Sequence, residues 1–164
     1  MTTTIRRAFL AIAALVLALV GGLVAAAPAP ASATSTPVLT GIRTGLHTGF
    51  DRVVLDMTGS PPTSVSYRNV DELIADGSGD VVWLTGEHFV DVVVSPAAAH
   101  NEAGTSTYTG AQKFRTRDLR NVMAVAITGD FEANLSIGLG TRYRSWVRVF
   151  TLTSPTRVVI DVGN

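Results

Sequence analysis

His47 stands four residues before Asp51 in the stretch Arg43–Arg52, a spacing that offers a general base and a carboxylate to orient it. With His100 the pair would make the reactive core of a small hydrolase, provided a nucleophile converged on them. The sequence supplies none on a recognisable motif. It has no Gly-x-Ser-x-Gly elbow, no phosphate-cradling glycine loop and no His-Glu-x-x-His. It has no cysteine, which excludes disulfides, thiolate nucleophiles and thiolate metal sites. His47, His88 and His100 are the only histidines, and none is spaced i, i+4. No metal centre is expected and no cofactor is implied. The simpler reading of Arg43–Arg52 is a tight turn at Gly45 or Gly49, with Asp51 and Arg52 pairing to neighbours.

Two further acidic stretches invite chemistry and yield little. In Gly129-Asp130-Phe131-Glu132, two carboxylates flank an aromatic ring, as in the acid pair of sugar hydrolases. A turn at Gly129 is the plainer expectation, with Phe131 tucked into the core. Asp76-Gly77-Ser78-Gly79-Asp80 faintly resembles a calcium loop but lacks the remaining oxygen ligands and the closing glutamate. It reads as a turn before Val81.

The basic residues are more informative. Lys113, Arg115, Arg117 and Arg120 stand close together around Phe114, and Arg142, Arg144 and Arg148 surround Tyr143 and Trp146. Thr34–His100 carries 3 basic and 8 acidic residues, 3 − 8 = −5, and Asn101–Asn164 carries 8 and 5, 8 − 5 = +3. A chain polarised in this way can turn one cationic face to an anionic polymer. Guanidinium groups beside aromatic rings suit sugars that carry carboxylates or phosphates. Arg115, Arg117, Arg120, Arg144, Trp146 and Arg148 are the candidate contacts. The competing reading is that the two halves neutralise each other within the fold.

The N-terminus reads as an export signal. Met1–Arg7 is short and positive, Ala8–Val24 is apolar throughout, and Ala31-Ser32-Ala33 is a small-x-small cleavage pattern. Residues 1–33 are expected to be a signal peptide and 34–37 a flexible stem. The alternative is an uncleaved anchor, the only route by which a membrane would be involved. Arg6 and Arg7 also resemble a twin-arginine signal. Without the leader the charge is 11 basic against 13 acidic residues, 11 − 13 = −2. A nucleic-acid partner is not expected. The folded part is expected outside the cytoplasm, secreted or associated with the cell wall.

The elements that must position these residues are strands. Beyond Pro37 no stretch has helical periodicity, and short runs of period two recur. Nine strands are expected: Val38–Arg43, Phe50–Met57, Ser64–Arg68, Val81–Leu84, Phe89–Val94, Val122–Ile127, Asn134–Leu139, Trp146–Leu152 and Arg157–Val162. The almost wholly apolar Val122–Ile127 should be covered on both faces. Asp71–Ala75 could form one helical turn. Ser95–Asn121 is a long stretch without strand pattern, of the kind that carries function or hides an element. The pattern is that of a single all-β domain, a two-sheet sandwich over residues 38–164.

Taken in order, these residues resemble a family. They are Arg43-Thr44-Gly45-x-His47-x-Gly49-Phe50-Asp51-Arg52-Val53-Val54, Tyr67, Ser95–His100, Gly129-Asp130-Phe131-Glu132, Ser136–Gly140, and Val149–Leu152 running to Pro155-x-Arg157 and Ile160-Asp161-Val162. The family is the AMIN-like domain of exported bacterial proteins, distantly akin to AMIN modules of cell-wall amidases and secretins. The resemblance spans about Val38 to Gly163. One departure is Arg68–Asp80, longer and more acidic than usual. The resemblance implies a β-sandwich that binds or localises without catalysis. Its partner would be peptidoglycan, another anionic wall polymer or an envelope protein. A subunit that recruits partners through an exposed sheet edge is a further reading.

Overall fold

The computed structural model describes residues 35–164; the expected signal peptide lies outside the described residues. Two antiparallel sheets make the fold. The first has the order β1-β2-β9-β8, with β1 Val38–His47, β2 Phe50–Thr58, β9 Thr156–Gly163 and β8 Val147–Thr153. The second has the order β3-β4-β7-β6-β5, with β3 Ser64–Val70, β4 His88–Ser95, β7 Asn134–Thr141, β6 Val122–Phe131 and β5 Lys113–Arg115. No helix occurs among the described residues.

The period-two pattern does the sorting. In β2, Asp51, Val53, Leu55 and Met57 are buried while Arg52, Val54 and Asp56 between them reach solvent. Side chains from both sheets meet in one cluster that includes Leu39, Val53 and Ile160 from the first and Val92, Ile137 and Leu139 from the second. Each such side chain contributes about 1.5–3 kcal/mol by leaving water. The sheets therefore stack face to face, as a sandwich.

Eight of the nine expected strands form. Val81–Leu84 does not: it forms only an isolated bridge, Val81 to Ile74, within its own segment, and Lys113 Nζ of β5 donates to the Trp83 carbonyl at 2.9 Å. It belongs to a strap, residues 71–87, lying on the outer face of the second sheet. The sheet makes room with glycines. A side chain at Gly138 would strike Leu73, one at Gly129 would strike Asp76, and one at Gly140 would strike the Thr85 carbonyl. The Asp76 amide donates to Thr128 O at 3.0 Å, and Ser136 Oγ donates to Asp76 Oδ2 at 2.6 Å. The helical turn expected at Asp71–Ala75 is absent, because Leu73 is drawn down onto the sheet and the chain stays extended.

The ninth strand is the short β5, hidden inside the stretch Ser95–Asn121. The rest of that stretch closes one side of the sandwich. Leu39 N donates to Ala98 O, Thr107 Oγ1 donates to Leu39 O, and Tyr108 joins the core. The turn expected at Gly129 is also displaced. Gly129 lies within β6, beside a bulge, and the hairpin turns at Glu132 and Ala133 with φ of 48° and 57°. Phe131, expected in the core, is exposed at this tip. Of the expected stem, Pro37 is buried and its carbonyl accepts from the Ala98 amide.

Candidate binding face

The β1–β2 hairpin turns through Thr48 and Gly49, the latter at a φ of 86° that suits glycine. This tight turn sets His47 opposite Phe50 and fixes every row below it. The rows continue across β9 and β8. His47 faces Phe50, which faces Gly163; Gly45, Arg52, Asp161 and Arg148 form the next row. Arg43, Val54, Val159 and Phe150 form the third, and Gly41, Asp56, Arg157 and Leu152 the fourth. Alternate residues of β2 point into the core, so all four rows lie on the outer face of the first sheet.

That face is built around a stack. The His47 and Phe50 rings lie parallel, 4.7 Å between centroids and 6° between planes. Arg52 Cζ sits 5.1 Å from the Phe50 centroid and 5.7 Å from that of Phe150. Arg148 Cζ sits 4.9 Å from the centroid of the same Phe150 ring. From Phe50 the order Phe50, Arg52, Phe150, Arg148 alternates rings with cations, each cation–ring contact contributing about 0.5–1 kcal/mol where exposed. Trp146 flanks the top row, 6.2 Å from Phe50 and tilted by 53°. It lies over Gly163, where an added Cβ would come 2.5 Å from its Nε1.

Carboxylates neutralise part of this charge. Arg52 donates from Nε and Nη2 to the two oxygens of Asp161, at 2.6 and 2.8 Å. Arg43 grips Asp56 in the same bidentate way, at 2.5 and 2.6 Å. These hydrogen bonds push both guanidinium pKa values up, and the Arg43 bond holds the Asp56 carboxyl below its ordinary range. Arg148 has no hydrogen-bond or ion-pair partner among the described residues. Among the described residues Arg157 donates only to the Pro155 carbonyl, at 3.2 Å. The face carries four arginines against two aspartates.

Of the sequence-derived candidates, the face gathers Arg43, Gly45, His47, Phe50, Arg52, Trp146, Arg148, Arg157 and Asp161. It does not gather Arg115, Arg117, Arg120 or Arg144. Arg115 is on β5, at the edge of the other sheet, and Arg117 and Arg120 are in the turn that follows. Arg144 pairs with the exposed Asp71 at 3.2 Å. Phe150, which links Arg52 to Arg148 in the stack, was not among the candidates. The alternation Arg148-x-Phe150 in a strand is the signal that could have found it.

Asp51 has turned inward to a different task. It is fully buried and accepts from the amides of Arg120, Asn121 and Val122 and from Asn164 Nδ2. Asn121 extends the network, donating to Gly163 O and accepting from the Arg142 and Tyr143 amides. Together they tie three segments to the hairpin end of the first sheet.

His47, Asp51 and His100 are not brought together. His47 is stacked on Phe50, and Asp51 is spent on amides. His100 lies beside Ala98, which bridges to Val38 at the opposite end of β1. Nine residue steps along β1 separate Val38 from His47, roughly 30 Å. His100 pairs instead with Asp130, Nδ1 to Oδ2 at 2.6 Å, beside a shallow groove of about 360 Å³ lined by Ser35, Val38, Gly59, Glu102 and Ala133. The other oxygen, Asp130 Oδ1, is buried without a partner among the described residues. Glu132 is in the hairpin turn, at a φ of 48° and outside the strand that carries Asp130. No cluster of three or more metal-ligating side chains occurs among the described residues.

Neither the curated proteins nor the solved structures compared with the chain contain a match. A family model does match, over residues 37–164, which covers all nine strands and every row of the outer face. The chain belongs to the AMIN-like domain family.

Proposed function

We propose that this protein is an exported, non-catalytic binding module of the bacterial cell envelope, and that the outer face of the first sheet contacts peptidoglycan or another anionic wall polymer. The AMIN-like family suggests an envelope-associated binding module and is typically extracytoplasmic. The leader-like residues 1–33 support export. The observation that carries the reading is the convergence of Arg43, His47, Phe50, Arg52, Trp146, Arg148 and Arg157 on one sheet face, from positions spread over more than a hundred residues. Such a face offers rings to sugars and unneutralised guanidiniums to anions. The separation of His47 from His100 argues against the hydrolase alternative.

The test is sedimentation with purified, insoluble cell wall. At low salt the full chain, kept in mild detergent, is expected in the pellet and is released as salt rises. Protein that stays in the supernatant at low salt overturns the reading. A second, edge-mediated role in an envelope complex has no specific observation in its favour.

A further inference from the structure

The four arginines of the outer face are not equivalent. Arg43 and Arg52 each spend two nitrogens on a carboxylate, and Arg157 bonds the backbone of its own turn. Arg148 is held by stacking without any hydrogen bond, its N–H groups committed to nothing among the described residues. Stacking on Phe150 restrains the guanidinium without consuming its donors. Its row neighbour Asp161 bonds Arg52 through both oxygens and makes no bond to Arg148. The result is a restrained cation with its hydrogen-bonding fork free.

Trp146 stands two residues earlier on the same face, about 7 Å away along the strand. It is 52% exposed, yet it is fixed from below by Gly163, whose amide donates to Trp146 O at 3.0 Å. A ring ledge and a free guanidinium at this separation match one pyranose ring and an acidic substituent on it. A neutral sugar would use the tryptophan and leave the arginine idle. A bare anion would do the reverse.

We infer that Trp146 and Arg148 form a subsite for a sugar carrying a phosphate or carboxylate, with the ring on Trp146 and the anion on the Arg148 fork. This rests on the outer face being the binding face, and it adds the chemical class that the face selects.

The experiment titrates the full chain in mild detergent with four probes. They are an N-acetylglucosamine oligosaccharide, a galacturonic-acid oligosaccharide, a phosphodiester-linked sugar–glycerol oligomer and inorganic phosphate. At least one charged oligosaccharide is expected to bind more tightly than the neutral one and than phosphate. The tighter of the two names the source of the anion. Arg148→Gln should weaken that probe about tenfold, the loss of a charge-assisted hydrogen bond, and leave the neutral probe unchanged. Trp146→Ala should weaken it as well, and Trp146→Phe should restore most of the binding. Both side chains are exposed, and circular dichroism checks that the variants keep their fold. Equal binding of neutral and charged oligosaccharides, unaltered by Arg148→Gln, overturns the subsite. So does phosphate binding as tightly as either charged sugar with Trp146→Ala silent. In both cases sedimentation with cell wall stays positive, whereas failure of the underlying face abolishes sedimentation itself.

Discussion

Arg52 and Asp161, 109 residues apart in sequence, face each other across β2 and β9 and share two hydrogen bonds of 2.6 and 2.8 Å. The Asp161 side chain is only 5% exposed, and that of Arg52 is 30% exposed. Removing the arginine strands a carboxylate that water barely reaches. Arg52→Met is therefore expected to cost about 3 kcal/mol, the lower end for breaking a buried pair, because Arg52 itself is partly solvated. The double variant Arg52→Met/Asp161→Leu should recover most of the loss. Urea unfolding midpoints measure both. An Arg52→Met midpoint equal to the wild type would show that the pair contributes nothing net.

The Arg43–Asp56 pair, one strand over, makes a pH prediction. Arg43 holds the Asp56 carboxyl below its ordinary value, so the folded state binds that proton less readily than the unfolded chain. The unfolded chain takes up the proton near pH 4. The pair's stabilisation is thus fully present above that pH and disappears as pH falls through the lower, folded value. Thermal midpoints recorded from pH 6 down to pH 2 should fall less steeply in Asp56→Asn than in the wild type. Parallel curves would remove Asp56 from the acid transition.

Asp51 predicts a larger effect at a site that sequence spacing offered to catalysis. Its carboxylate satisfies three consecutive amides, of Arg120, Asn121 and Val122. Asp51→Ala leaves buried donors without an acceptor, at about 1–3 kcal/mol each. The expected loss is about 3 kcal/mol or more, with the residues around Asn121 first to lose amide-exchange protection. His47→Ala should change stability far less, since it loses only a stacking contact on an exposed ring. Equal effects of the two substitutions would contradict the structural role of Asp51.

How much of this was written in the chain can be judged strand by strand. The alternation Asn134-Leu135-Ser136-Ile137-Gly138-Leu139 states which side chains go inward, and Leu135, Ile137 and Leu139 are fully buried, whereas the inward turn of Asp51 between its neighbours Phe50 and Arg52 carries no such signal. The apolar run Val122–Ile127 was read as covered on both faces, and Ala124, Val125 and Ala126 are all buried. Val81–Leu84 carried the same apolar signal and became a strap, because local pattern cannot say whether a run will pair or lie across a sheet. Lys113–Arg115 is three residues long, too short for any periodicity. Gly129 reads as a turn in the sequence, while its missing side chain serves the approach of Asp76. The candidate face was illegible for a different reason. Its residues were singled out one by one, but the pairing of β2 with β9 joins the two ends of the domain, and no local rule sets that register.

The strap gives the last prediction. Residues 71–87 cover the second sheet through Leu73, Asp76 and Thr85, and they can do so because Gly138 and Gly140 present no side chains. At Gly140 an added methyl group would meet the Thr85 carbonyl, a backbone atom that cannot rotate away. Gly140→Ala must therefore lift this part of the strap or shift β7, at about 1–3 kcal/mol. Lifting is the cheaper course, since β7 is paired along its length with both β4 and β6. The Asp76 amide, bonded to Thr128 O, and the Val82 amide, bonded to Leu73 O, should then exchange faster. Amides of β7 should stay protected, and cell-wall sedimentation should stay unchanged, because the strap and the arginine-bearing face lie on opposite sheets. Loss of sedimentation with the β7 amides intact would move the binding surface to the strap, where Ile74, Val81 and Trp83 are exposed.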